Sequence, residues 1–264
     1  MNIKTLKAQP KSVTDNYKFP VSVVPLTAGK IVIDNKFAIV REDTSESIGL
    51  VSDSYGLLKH STVIDNVREL LGKQAYKEKV EVQRNGALLF ATYTFPNQQI
   101  EVKKGDYVAM QMIVKNSYDG SQAFQIMLGA LRLVCTNGMV MGKQFFGFMQ
   151  KHYSNSGNID SAQLKERFGG LSLDFKKTLP LMQIMTKKNL PENTDAFRNT
   201  IKDKVFPQYV AEKAEENFKK EDKTVWGYYN ALTATITHTP KKDLPDTRIE
   251  FTRRAWESAI LLTK

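Results

Sequence analysis

The sequence predicts an α+β fold, with an antiparallel β-rich N-terminal core carrying an inserted helix and an all-helical C-terminal half. Three observations predict it. Between Val21 and Gly142, short β-branched and aromatic runs alternate with turn residues. After Gly142 the apolar period lengthens to that of helices. No Gly/Ser/Pro-rich linker separates the two parts, so a helical extension packed on one core is expected rather than two independent domains. The expected boundaries are an N-terminal arm over 1–20, a β-rich core over 21–142 and the helical extension over 143–264.

In chain order, strands are expected over Lys30–Val40, Ile48–Leu58, Lys79–Gln83, Ala87–Phe95, Tyr107–Lys115 and Ala123–Val134. The run HSTVIDNVRELL interrupts them as a helix over His60–Leu71, with Ser61 or Thr62 as its cap and Gly72 as its stop. Beyond a Phe/Met-rich bridge, KQFFGFMQKHY, helices are expected over Asn158–Phe168, Leu173–Lys188, Thr194–Phe218, Thr224–Thr237 and Arg248–Leu262. Pro180 and Pro207 are the places where two of them bend or divide.

The chain has 264 residues, long enough to bury roughly three quarters of its unfolded surface, so a substantial core is available. Both signs of charge are mixed and 10% of the residues are aromatic, which excludes the disordered and low-complexity classes. No run approaches the roughly 20 apolar residues of a membrane span, and the first residues lack the apolar block of a signal peptide. A soluble cytoplasmic protein is therefore expected, without a membrane partner. The single cysteine, Cys135, cannot form an internal disulfide and reads as a small core residue. The net charge is +10, and residues 132–188 carry much of it, with 9 basic against 3 acidic side chains. Such an excess suits a polyanionic partner, because each neutralised phosphate releases counterions.

The stretch YVAMQMIVKNSYDGSQAFQIMLGALRLVC holds two apolar runs around an Asp119-Gly120 turn, and both faces of the first run are apolar. Charged residues inside it stand out. Arg132 lies within LRLVC, where a guanidinium needs either a carboxylate of the same fold or a phosphate. Lys115 closes the first run beside the turn.

No signature of a nucleotide site, metalloprotease or serine hydrolase occurs, and the three histidines have no ligand-spaced neighbours. No cofactor, no metal and no catalytic residue is expected. The acidic run EDTSESIGLVSD, including Asp53, offers a metal-dependent nuclease as a third reading. Basic residues interleaved with aromatics point instead to single-stranded nucleic acid, held by stacking and by cations along its backbone. The candidates are Lys115, Arg132, Lys143 and Lys151 for phosphates and Arg84 to guide the strand, with Tyr118 and either Phe146 or Tyr153 for bases.

The segments GLVSDSYGLLKHSTVIDNVREL, IVKNSYDGSQAFQIMLGALRLVCTNGM and VWGYYNALTATITH together resemble the family of domain of unknown function 932, the phage/plasmid-like proteins. The resemblance rests on G-x-V-S-x-x-Y at Gly49–Tyr55, N-S-x-D-G-S at Asn116–Ser121, R-x-V-C-x-N at Arg132–Asn137 and W-x-x-x-N-A at Trp226–Ala231. It covers most of residues 48–262, and residues 1–47 add nothing to it. The resemblance implies a gene of mobile elements, concerned with DNA replication, recombination or contest with host defence. At the level of architecture alone, the chain is also similar to phage single-strand annealing recombinases such as the Red-beta and Erf-like proteins. The expectation is thus a non-enzymatic, homo-oligomeric protein of DNA metabolism that binds single-stranded DNA without sequence preference, in annealing or recombination. The alternative is an inhibitor that docks a host defence or restriction protein.

Overall fold

A computed structural model describes residues 15–133, 137–140, 146–153, 158–238 and 245–264. Strands β1 (Val21–Ala28), β2 (Ile31–Arg41) and β3 (Glu46–Ser52) form an antiparallel three-stranded sheet in that order. Helix α1 (His60–Leu71) follows. A six-stranded sheet then has the order β4 (Lys77–Gln83), β5 (Leu88–Lys103), β6 (Asp106–Ser117), β7 (Phe124–Arg132) and β8 (Asn137–Val140), with β9 (Phe146–Gln150) also paired to β7. The helices α2 (Ser161–Lys177), α3 (Leu179–Lys187), α4 (Ala196–Lys202), α5 (Gln208–Phe218), α6 (Val225–His238) and α7 (Pro245–Leu261) complete the chain.

This corrects the expected fold. The fold is α+β with two antiparallel sheets, strands and helices alternate along the chain, and the C-terminal helices begin only near residue 161, not at 143. The reason lies in FGFMQ, which pairs with β7 as a strand, Phe148 packing on Phe124 at 5.3 Å between ring centroids while Met149 faces out. Strand β1 and strand β8 also go beyond the anticipated elements. The apolar reading of β6 agrees with its burial, since every residue of Asp106–Ser117 except Tyr107 is buried.

The described residues of Met1–Thr94, Ile113–Ile126 and Gly147–Phe168 form one compact unit. Its sheet core is Val21, Ile39, Ile48, Val51, Ala87 and Tyr118, and α1 adds Val63, Ile64, Val67 and Leu71. No side chain caps α1. Its first N–H, that of His60, instead donates to the Tyr118 hydroxyl at 2.8 Å, so a tertiary contact satisfies a donor that helix ends leave orphaned. At the outer end of this unit the β1–β2 hairpin reaches past β3, and its tip is apolar and exposed at Ile31 (71%) and Val32 (59%). Edge strand β1 carries Pro25, which has no N–H to offer a ladder.

The second unit comprises the described residues of Phe95–Met112, Met127–Phe146 and Gly169–Lys264. Its centre is α6, buried almost all round, with Trp226, Tyr228 and Tyr229 inside it. Helix α7 packs on it through Trp256, whose ring lies 5.5 Å from Tyr229. A Cβ on Gly227 would stand 1.9 Å from the carbonyl oxygen of Asp222, so only glycine lets α6 start against the preceding turn.

Gly49 occupies a similar position in the first unit, where a Cβ would lie 2.6 Å from the Tyr118 carbonyl oxygen and 2.9 Å from the Asp119 Cα. Backbone cannot yield there as a flexible side chain does. Gly49→Ala is expected to cost about 1–3 kcal/mol of stability in urea denaturation, as overpacking does; an unchanged midpoint would contradict the close approach.

Candidate functional site

The turn after β6 gathers widely separated parts of the first unit. Asn116, Ser117 and Tyr118 are buried. Asp119 closes the turn by accepting from the Ser121 N–H at 2.9 Å and the Ser121 hydroxyl at 2.5 Å. The Ser117 hydroxyl donates to the Gln122 carbonyl at 2.9 Å, and the Tyr55 hydroxyl donates to the Ser117 carbonyl at 2.8 Å. Two of the sequence motifs, 49–55 and 116–121, therefore meet through Gly49 and Tyr55.

His60 completes the buried part. Its ring stacks on Tyr118 at 3.8 Å, and Phe19 meets both rings edge-on. His60 Nε2 lies 2.9 Å from the Gly86 carbonyl, which can only accept, so Nε2 carries the proton. Nδ1 is then the acceptor for the Asn116 amide at 2.9 Å. Burial pushes the His60 pKa down to about 3, which keeps the ring neutral in ordinary buffers. This histidine is a fixed structural element rather than a proton carrier.

Around the turn the surface is charged. Arg84 and Asn85 both have left-handed backbones, with φ of 49° and 54°. Arg84 donates from Nη1 to Asp119 at 3.2 Å, and its side chain is about half exposed. Arg41 lies 3.9 Å above the Phe19 ring and donates to the Asn85 carbonyl at 2.8 Å.

On the other side Tyr55 bridges to Tyr153, and the His152 ring lies 5.1 Å from that of Tyr55. Along 149–153 exposure alternates: Met149 (56%), Lys151 and Tyr153 (60%) face solvent, while Gln150 and His152 are half-buried. Strand β9 ends at Gln150, and the Tyr153 N–H donates to the Lys151 carbonyl at 3.1 Å, a tight turn that leaves a cation and a phenol exposed just beyond the strand.

The candidate residues thus fall into distinct environments. Arg84, Lys151 and Tyr153 are accessible and lie in the first unit, Arg84 joined to the turn through Asp119 and Tyr153 bridged to Tyr55. Lys115 is only 9% exposed, with Nζ 5.8 Å from the Phe90 ring, and Tyr118 is inside the His60 stack. Neither presents itself to a ligand from solution. Phe146 opens β9, its side chain lying outside the described residues, as Lys143 and Cys135 do. Of the acidic run, Asp43 pairs with Arg41 at 2.6 Å and Glu46 accepts from Asn85 at 3.4 Å. Among the described residues no group of three His, Cys, Asp or Glu side chains is placed to hold a metal ion.

Arg132 belongs to a second buried cluster, in the second unit. Its Nε and Nη2 grip Asp106 at 2.9 and 2.8 Å, and Nη1 reaches Glu221 at 3.0 Å. The Trp226 indole N–H donates to the same Asp106 at 2.9 Å. Of the two partners open to Arg132 from sequence, the carboxylate is the one present, and the motif at 132 meets the motif at 226 through Asp106. Asp106 and Glu221 carried no motif; they become legible only when the buried guanidinium demands partners. Met149 was overlooked too, although its two-residue spacing from Lys151 was readable.

Burial raises the Asp106 pKa, but the hydrogen bonds from Arg132 and Trp226 outweigh it and hold the carboxyl below its ordinary value. A depressed pKa means that the stabilisation is complete above the unfolded carboxylate range, about pH 4, and is lost as pH falls through the folded value. Asp106→Asn is expected to destabilise the protein by about 3–5 kcal/mol, because it leaves a buried guanidinium poorly compensated. It should also flatten the acid limb of a stability–pH profile followed by denaturant titration; a profile identical to wild type would refute the role of the pair.

No curated protein and no solved structure matches the chain. The family model described as Domain of unknown function (DUF932) matches residues 47–256, a span that includes both motif clusters. On that match over most of its length, the chain belongs to the DUF932 family.

Proposed function

We propose that the protein binds single-stranded DNA without sequence preference, as a phage- or plasmid-type factor of DNA metabolism that acts by binding rather than by catalysis. The observation that carries this reading is the succession of exposed Met149, Lys151 and Tyr153 at the end of β9, in the same unit as the half-exposed Arg84. A phenol ring offers a stacking surface to any base, and a cation two residues away suits the adjoining phosphate. The net charge of +10 supplies long-range attraction of the same sign. Arg84 contributes at little cost, since an exposed ion pair such as Arg84–Asp119 is worth about 0–1 kcal/mol and is readily exchanged for a phosphate. A protein partner is the second reading, favoured by the exposed apolar tip of the β1–β2 hairpin.

Fluorescence anisotropy of a labelled oligonucleotide across a salt series tests the first reading. Affinity should fall linearly on logarithmic axes as salt rises, and Lys151→Glu should reduce the slope by about 1. Tyr153→Ala should weaken binding by about 1–3 kcal/mol, the worth of one stacked base. No binding at low salt, or full binding by both variants, would end the proposal. Arg84→Gly separates function from fold. Glycine prefers the left-handed backbone found there, so stability should be kept or raised by up to about 1 kcal/mol while DNA affinity drops.

A further inference from the structure

The second unit contains a cleft of about 620 Å³, within the size range of small-molecule sites. It lies among the C-terminal turn of α4, the buried helix α6 and the outer face of α7. Its walls are apolar at Val205, Leu261 and Leu262, and Tyr228 lines it with the hydroxyl tied to Ser258 at 2.8 Å.

Two features make the cleft unlike a surface irregularity. The first is Lys204. Helix α4 ends in a Schellman turn, in which the Val205 N–H donates to the Thr200 carbonyl at 2.8 Å and the Lys204 N–H to that of Ile201 at 3.0 Å. The residue between, Lys204, is left-handed at φ 54°, a place that glycine or asparagine fills without strain. Its ammonium nonetheless has no partner among the described residues. A left-handed lysine with no hydrogen bond or ion pair among the described residues keeps its ammonium available to a ligand.

The second feature is a set of fixed charges. Glu250 accepts from Arg253 and from Arg254 Nε at 2.9 Å, and Arg253 also binds Glu257. The Arg253 hydrogen bonds, more than those of Arg254, hold the Glu250 carboxyl down at about 2, so this lattice stays ionised and rigid. Within it Arg254 Nη1 donates to the Val205 carbonyl at 3.0 Å, beside Lys204, and leaves Nη2 without a partner among the described residues. An oriented guanidinium and an ammonium without a partner among the described residues thus both line the cleft, whose walls include Val205, Leu261 and Leu262. Asp203 also lines the cleft and is exposed, so the bound anion must lie closer to the two cations than to this carboxylate.

We propose that this cleft binds a small organic anion, with a phosphate or carboxylate group held by Lys204 and Arg254 Nη2 and an apolar body against Val205 and Leu261. The proposal is independent of nucleic-acid binding. Isothermal titration calorimetry of the full chain with phenyl phosphate, benzoate, inorganic phosphate and phenol tests it. Phenyl phosphate or benzoate should bind saturably at one site, inorganic phosphate at least tenfold more weakly, and phenol not measurably. Lys204→Gly and Lys204→Asn should lose at least tenfold in affinity for the organic anion. Both should melt at or above the wild-type temperature, because they relieve the left-handed lysine, and both should keep oligonucleotide affinity. Absence of saturable binding by either organic anion, or unchanged binding in both variants, would overturn the proposal.

Discussion

Buried polar groups must find partners, and each unit is organised around one place where they do. In the first unit, the Asn116 amide N–H groups, the Tyr118 hydroxyl and the His60 ring are matched inside by one another and by the backbone, although Asn116 Oδ1 has no partner among the described residues; each donor or acceptor left unmatched would cost about 1–3 kcal/mol. Their mutual bonds fix where β6 ends, where α1 begins and how close β3 must come, and a glycine at position 49 is the result. In the second unit, Asp106 plays the same part for Arg132 and Trp226, tying a strand end to the central helix.

These two clusters explain why the family motifs have the residues they have. Asn, Ser, Tyr and Asp at 116–119 are turn-formers by composition, and the hairpin turn was legible for that reason. What the sequence does not contain is the distance relation between His60, Gly86 and Asn116, which are 26 to 56 residues apart in sequence and meet only after folding. Tyr118 therefore looked like a surface ring next to a turn, while the demand of the α1 N-terminus for an acceptor draws it inside. Arg132 was recognisable as a charge in an apolar strand, but its partners lie 26 residues before it and 89 residues after it.

The least legible segment was 146–153. Phenylalanine, methionine and glycine do not distinguish strand from helix by composition, and the long-range pairing of 146–150 with β7 decides the matter. The interleaving of aromatic and basic residues there was visible, and Lys151 with Tyr153 is the part of it that reaches solvent. Lys115, equally basic on paper, lies in a strand buried on both faces. Counting charges along a chain finds cations but not their side of a sheet, which the two-residue alternation does find.

The hairpin tip of β1 and β2 presents apolar side chains at Ile31 and Val32, while Pro25 removes a hydrogen-bond donor from the outermost strand. Backbone templating by a neighbouring chain is thereby hindered at the strand where it would otherwise start. A ladder added to that strand would therefore lack one rung, and the exposed side chains of the tip remain the more continuous surface for a partner.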